Sequence, residues 1–240
     1  GSLLSIDYKT LIAIGAAVEC IHAYSLIHDD LPCMDNDKMR RGKPSAHIRF
    51  GESTAVLAGN SLLTMAFEIL ANPTLKLNEK IKINLIKKLS ECPGPVGIAG
   101  GQNLDLSYEK KKISKKKIIE MEIKKTGKLF SFCCVAPAII KKKSSKEIKF
   151  FENIGSGIGL LFQISDDLID FNGNSKIAGK KTGKDQKKGK ATLISLLGHR
   201  NAIKYCNKII FNTNKNLIRY GPNSKNIKET LDYILNRDKW

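Results

Sequence analysis

Alternation of apolar and polar residues with a period of two, the mark of a half-buried strand, is hard to find in this 240-residue chain. Its scarcity removes the main support for a sandwich or barrel. No stretch reaches the roughly 20 uninterrupted apolar residues that cross a bilayer, and the first residues lack the basic, apolar, small-residue order of a secretory signal. No membrane span is expected, and the chain reads as soluble, in the cytoplasm or the lumen of an organelle such as a plastid. Neither a GxxxxGK[ST] phosphate loop nor a DxDxDG calcium loop occurs, and no repeat of fixed period suggests a solenoid. The six cysteines, Cys20, Cys33, Cys92, Cys133, Cys134 and Cys206, form no CxxC pair. Reduced thiols in a reducing compartment fit them best, with Cys133-Cys134 read as packing. Aromatic residues make up only 7% of the chain, and no nucleic-acid recognition motif is present; both argue against a nucleic-acid partner.

Acidic residues are also scarce, 23 against 41 lysines and arginines, for a formal charge of +18. Much of the excess lies in runs such as Lys110-Lys111-Lys112, Lys115-Lys116-Lys117 and Lys141-Lys142-Lys143, which are ordinarily solvated helix ends. A basic surface attracts polyanions, and nucleic acid and diphosphate esters both qualify.

Helical periodicity is abundant. Apolar residues recur at helical spacing at Leu11, Ile14, Val18 and Ile21, and again at Leu57, Leu62, Met65, Phe67 and Leu70. Further helical stretches are expected over 79–91, 114–140, 146–171, 191–210 and 225–236, punctuated by Asn72-Pro73, Pro93-Gly94-Pro95 and Gly221-Pro222. The chain is long enough to close a substantial core, and one all-α domain over residues 1–240 is the expectation. From Asn172 to Lys190 the residues are mostly Gly, Lys, Asn, Ser and Asp, which predicts a mobile basic loop. Gly155, Gly157 and Gly159 fall inside a helical pattern, where each costs about 1 kcal/mol against alanine, so close helix packing is expected there.

Two acidic clusters carry the chemistry. The first runs His28-Asp29-Asp30-Leu31-Pro32-Cys33-Met34-Asp35-Asn36-Asp37 directly after an apolar helix. Pro32 ends or kinks that helix, leaving Asp29 on its last regular turn and Asp35 on the bend beyond. In the second, Asp166 and Asp170 are four residues apart, on one helical face with Gln163 a turn earlier. Carboxylates at a helix C-terminus oppose the helix dipole and repel one another, so a counter-charge is expected. One such end is an ordinary capping segment. Two of them, each followed by basic residues (Lys38, Arg40 and Arg41; Lys180, Lys181, Lys184, Lys187, Lys188 and Lys190), point to a diphosphate bridged by a hard divalent ion, with magnesium the best fit to an all-oxygen ligand set.

These residues resemble the trans-isoprenyl diphosphate synthases, particularly bacterial farnesyl and bacterial or plastid geranylgeranyl diphosphate synthases. The resemblance is carried by the stretch from Ala17 to Gly59, then by Gly100-Gly101-Gln102-Asn103-Leu104-Asp105, Lys125-Thr126-Gly127, Phe162-Gln163-Ile164-Ser165-Asp166-Asp167 and Gly179-Lys180, in the family's order. It implies a single-domain helical bundle around a central cavity. It further implies that Asp29 and Asp35 hold two magnesium ions and Asp166 a third, all bridging an allylic diphosphate. Arg40, Lys125 and Lys190 would contact that diphosphate, with Lys180 closing over it. Arg41 and His22 match positions that bind isopentenyl diphosphate, and Thr126 and Gln163 match polar groups near the ionising carbon. The family is usually a homodimer. Its N-terminal helical region, with a Gly-Gly-Lys-x-x-Arg segment, has no counterpart here, and Gly1-Ser2 reads as a remnant of protease cleavage, so the sequence is expected to start after that region.

A helix rises about 5.4 Å per turn, which sets Tyr24 and Ser25 one turn before Asp29, where a growing prenyl tail would lie. The bulk of Tyr24 resembles farnesyl rather than geranylgeranyl synthases, with the geranylgeranyl product as the alternative. Three other readings remain: a class I terpene cyclase, disfavoured because the second metal motif is again aspartate-rich; a silent partner subunit, disfavoured because the aspartates are kept; and a basic nucleic-acid binder.

Overall fold

A computed structural model describes residues 1–172, the last by its backbone alone, and 189–237. The basic loop expected between Asn172 and Lys190 lies, apart from its ends, outside those residues, and Lys180 lies outside them too.

Helix α1 (Tyr8–Asp29) starts where the Asp7 carboxylate accepts the backbone N–H of Thr10 at 2.9 Å, an N-cap that satisfies one of the orphan donors of the first turn. Its buried positions, Ile14, Ala17, Ile21 and Tyr24, recur every three or four residues. They pack on α3 (Glu52–Ala71), whose contact face is made of the smaller Ala55, Gly59 and Ala66 together with Leu70. Between these two helices the chain makes a two-residue-per-strand hairpin, β1 (Met39–Arg40) and β2 (Lys43–Pro44), and a short helix α2 (Ala46–Phe50). Both α1 and α3 have the length and mean hydropathy, 1.6 and 1.5, of bilayer spans. This differs from the expectation of no membrane span. Neither helix is an uninterrupted apolar run: in α1 scattered polar residues such as Glu19 and His22 break the run without lowering the mean below a span's.

Helices α4 (Glu79–Ser90) and α5 (Ile98–Tyr108) follow. The single helical stretch expected over 114–140 is divided: α6 (Lys115–Glu122), one π-helical turn (Ile123–Gly127), then α7 (Lys128–Ile140), which runs through Pro137 without ending. Helix α8 (Ser145–Asn172) lies along α7. The chain is described again from Gly189 and ends in α9 (Leu193–Leu197), α10 (His199–Leu217) and α11 (Lys225–Asn236). Strand pairing among the described residues is confined to β1 and β2, so the all-α expectation holds.

Two of the three helical glycines are required by packing. A Cβ on Gly155 would fall 2.5 Å from the Ser131 Cα, and one on Gly159 would fall 2.6 Å from the Gly127 Cα. Gly157 would meet nothing nearer than 3.7 Å, a side-chain methyl of Ile209. Apolar burial among the described residues falls into two large clusters and a small third one of Leu3, Val135, Ala138 and Phe151. One large cluster joins α1, α3, α4 and α7 through Ile21, Leu70, Leu85 and Phe132, and the other joins α6, α8, α9, α10 and α11 through Leu161, Ile164, Leu193 and Leu231.

Lys88 ties α4 to α8, its Nζ donating to Glu91 at 2.8 Å and Glu152 at 2.9 Å. Burial works against the Glu152 anion, but the ammonium groups of Lys149 and Lys88 prevail and hold its carboxyl down at about 2 against an ordinary 4.5. A carboxyl depressed on folding contributes stability above its unfolded value and loses it as pH falls through the folded one. Lys88→Met should therefore lower the melting temperature by a constant few degrees above pH 4.5, with the deficit shrinking to nothing near pH 2; a deficit independent of pH in a melting series would contradict the assignment.

Candidate active site

Helix α1 stops at Asp29, and the chain then doubles back: the backbone N–H of Asp35 donates to the Asp29 carbonyl at 2.8 Å and that of Asp37 to the Asp30 carbonyl at 3.2 Å. Asn36 takes the left-handed conformation (φ 52°) that lets the bend close. Asp29, Asp35 and Asp37 consequently line one cavity. Asp30 does otherwise. It is buried, 2% exposed, and receives the Arg40 guanidinium in a forked contact, with Nε at 3.2 Å from Oδ2. The fork is set by the hairpin, whose two turn residues, Arg41 (φ 50°) and Gly42 (φ 75°), are both left-handed as a type I′ reversal demands. Arg40 is thereby directed to the cavity, while Arg41 stays exposed at the turn. Burial pushes the Asp29 carboxyl up to about 6, against the pull of Lys125 and with the help of Asp35.

The π turn builds the second wall. One extra residue per turn brings both Lys125 and Thr126 to the cavity while α7 continues below with Leu129, Phe130 and Cys133 on its lining face. Helix α5 comes close enough for this because Gly101 has no side chain: a Cβ there would sit 2.3 Å from the Lys125 backbone nitrogen. Lys125 Nζ donates to Asp105 Oδ2 at 2.7 Å, and Lys190 Nζ donates to the same oxygen and to Asp35 Oδ1, both at 3.1 Å. Burial opposes the charge on Asp105, but the two ammonium groups hold its carboxyl below the ordinary range.

The third wall is α8. Gln163, Asp166, Asp167 and Asp170 line the cavity from one helical face. The Thr126 hydroxyl donates to Gln163 Oε1 at 2.9 Å, and Gln163 Nε2 donates to Asp167 Oδ1 at 3.0 Å. Asp166 forms an ion pair with Arg237, whose guanidinium lies 3.9 Å over the Phe162 ring.

The cavity measures about 460 Å³. It is lined by carboxylates from α1, the bend after it and α8, by Lys125, Lys190 and Arg40, and by the apolar Val18, Leu26, Ile98, Leu129, Phe130 and Phe162. His22 and Ser25 lie on its α1 side. Burial, together with the nearby charges of Arg41 and Arg40, outweighs Glu19 and lowers the His22 pKa, which favours the neutral imidazole. Tyr24 is not on the lining; its ring is buried beside His28, edge-on at 5.5 Å, with the hydroxyl 3.5 Å from the Pro93 carbonyl. Cys133 faces the cavity instead of being packed away, and Cys134 is half-buried.

Of the described candidate residues, all but Tyr24 and Arg41 line this one cavity. Sequence reasoning assigned no role to Asp105, Arg237 or Glu122. Asp105 had a signal, its place in the Gly100–Asp105 motif; Arg237 had none, because it reaches Asp166 across 71 residues of chain.

Hard oxygen donors and nearby ammonium groups suit a divalent cation bound together with an anion. Among the described residues no three acidic, imidazole or thiol groups converge on a single point. The carboxylates come from separate elements, α1 and the bend after it on one hand and α8 on the other, so a magnesium ion would complete its octahedron with water and with oxygens of a bound phosphate. The fitting ligand is accordingly amphiphilic, anionic at one end and apolar at the other.

The polyprenyl synthetase family model matches residues 2–233. The chain is 41% identical over 228 residues to the farnesyl diphosphate synthase of Micrococcus luteus, covering 95% of this chain and 78% of that protein. It is 37% identical to the farnesyl diphosphate synthase of Escherichia coli, covering 100% of this chain and 82% of that one. Among solved structures, the geranyltransferase of Helicobacter pylori in complex with magnesium and isoprenyl diphosphate superposes with a TM-score of 0.84 at 33% identity, covering 98% of this chain and 80% of that one.

Proposed function

The chain belongs to the polyprenyl synthetase family, the trans-isoprenyl diphosphate synthases, and on that premise we propose that it condenses isopentenyl diphosphate with dimethylallyl or geranyl diphosphate to give farnesyl diphosphate. The observation that carries the reading is that Asp29 from α1 and Asp166 from α8 line one and the same cavity, together with Lys125, Lys190 and Arg40 and several apolar side chains.

In this reading Asp29, Asp35 and Asp166 hold magnesium, three ions in all. Bound with the diphosphate, the metal supplies Lewis acidity that stabilises the charge of the departing group. Arg40, Lys125 and Lys190 hold the same diphosphate by charge-assisted hydrogen bonds, and Lys180 joins them from the segment outside the described residues. The Thr126 hydroxyl spends its proton on Gln163, so its lone pairs face the cavity and stabilise positive charge on the allylic carbon after the C–O bond ionises. The isopentenyl double bond attacks that carbon, and the displaced diphosphate takes the proton lost in the final elimination. His22 and Arg41 orient isopentenyl diphosphate. A cytoplasmic homodimer completes the reading, supported by exposed Ile12, Leu57 and Met65 on α1 and α3.

The test is incubation with magnesium, isopentenyl diphosphate and each allylic starter, followed by sizing of the products. Farnesyl diphosphate is expected, and chelation of the metal should abolish it. A cyclic product formed without isopentenyl diphosphate would indicate a terpene cyclase instead. Tyr24 shares a core cluster with Ile98 of the cavity wall, so Tyr24→Ala opens space behind Ile98 and should shift the product toward geranylgeranyl diphosphate. An unchanged product would remove Tyr24 as the length determinant.

A further inference from the structure

Sharing Lys125, Gln163, Asp167 and Lys190 with the cavity is a smaller space of about 60 Å³, lined also by Asp105 and Glu122 among others. Glu122, the last residue of α6, is 2% exposed, and its Oε2 has no hydrogen-bond partner. Burial, then Asp167, then Asp105 all act against its anion, and only the backbone N–H of Leu193 favours it, so the carboxyl lies well above the ordinary range. Asp105 is displaced the other way. A buried acid that keeps its proton is a donor, and here its neighbours are acceptors.

Those neighbours lead to the site by two routes. Asp167 accepts the amide of Gln163, which accepts the hydroxyl of Thr126. Leu193 opens α9 three residues after Lys190, the residue that spans Asp35 and Asp105. A buried acid of this kind does little for the fold, since an apolar side chain of the same volume avoids its desolvation.

We propose that Glu122 is a positioning residue: donating toward the carboxylates beside it and braced on Leu193, it fixes Gln163 and Thr126 on one side and the backbone bearing Lys190 on the other in register with Lys125. Glu122 touches no substrate in this scheme. The inference rests on the diphosphate-binding reading above.

Two substitutions separate positioning from mere packing. Glu122→Gln keeps a donor and an acceptor in the same shape, and Glu122→Met keeps the volume with neither. Melting temperature, affinity for magnesium pyrophosphate by calorimetry, and kcat and KM are measured on all three proteins. Glu122→Met should melt no lower than wild type yet lose about tenfold or more in pyrophosphate affinity and in kcat, while Glu122→Gln stays within about threefold on both. Should Glu122→Met not fold, Glu122→Ala carries the same expectation. The proposal is overturned if the apolar variant binds pyrophosphate as wild type does, if the glutamine variant is equally deficient, or if the losses follow the melting temperatures. Wild-type protein that binds magnesium pyrophosphate but forms no condensation product would contradict the assigned reaction alone, because the pyrophosphate affinities still decide the role of Glu122.

Discussion

Lys125→Met is expected to lower kcat/KM roughly a thousandfold, at the upper end of what removing one preorganised donor to a developing anion costs. Burial works against the Lys125 ammonium, but Asp105 and Asp29 outweigh it and raise its pKa above the ordinary lysine value, so it is charged throughout the working range. It is also held in place, by the 2.7 Å bond to Asp105 and by its position on the π turn. A preplaced charge does not have to reorganise when the diphosphate departs, and that is what an exposed, flexible lysine cannot supply. The fold should survive, since Asp105 keeps Lys190 as a partner at 3.1 Å. Most of the loss should appear in kcat under single-turnover conditions, with a smaller loss of magnesium pyrophosphate affinity. A drop of less than about tenfold would remove Lys125 from the transition state.

Gly101→Ala should be nearly as damaging although it adds one methyl group outside the cavity. The new Cβ would lie 2.3 Å from the Lys125 nitrogen and 2.5 Å from its Cα. Both are backbone atoms of the π turn, so relief requires α5 to move away or the turn to change shape. Overpacking of this kind costs about 3 kcal/mol, and a shift of about 1 Å in the Lys125 ammonium would cost a further hundredfold in rate. Gly157→Ala is the matched control: its Cβ meets nothing nearer than 3.7 Å, and alanine is favoured in a helix by about 1 kcal/mol, so its melting temperature should be unchanged or higher. Equal melting temperatures for the two variants would show that α5 yields without strain.

The helices were legible because their apolar spacing is local, as in α1, where Ile14, Val18 and Ile21 mark the buried side. The aspartate clusters were legible for the same reason: Pro32 fixes the end of α1, and the four-residue interval fixes the face shared by Asp166 and Asp170. What sequence spacing does not encode is contact between distant segments. The pairing of Lys190 with Asp35 spans 155 residues, and that of Arg237 with Asp166 spans 71. The π turn escaped for a subtler reason. A helical apolar pattern runs on both sides of it, but the turn itself, Ile123–Gly127, has only one apolar side chain, so the change of phase falls where no apolar residue marks it. Tyr24 was placed correctly along α1 but not around it: the phenol turns toward Pro93, leaving Ser25 on the cavity wall.

That extra residue makes the junction between α6 and α7 a rotational joint. Deleting one amino acid from Ile123–Gly127 would let an unbroken α-helix form across it, at a gain in local regularity. The same deletion would rotate everything upstream by about 100° relative to α7, carrying Ile118 and Met121 off the α8 core and turning Glu122 away from Asp167. The wide turn therefore sets the angular phase between the two halves of the wall, and a shorter chain would be a better helix in the wrong orientation.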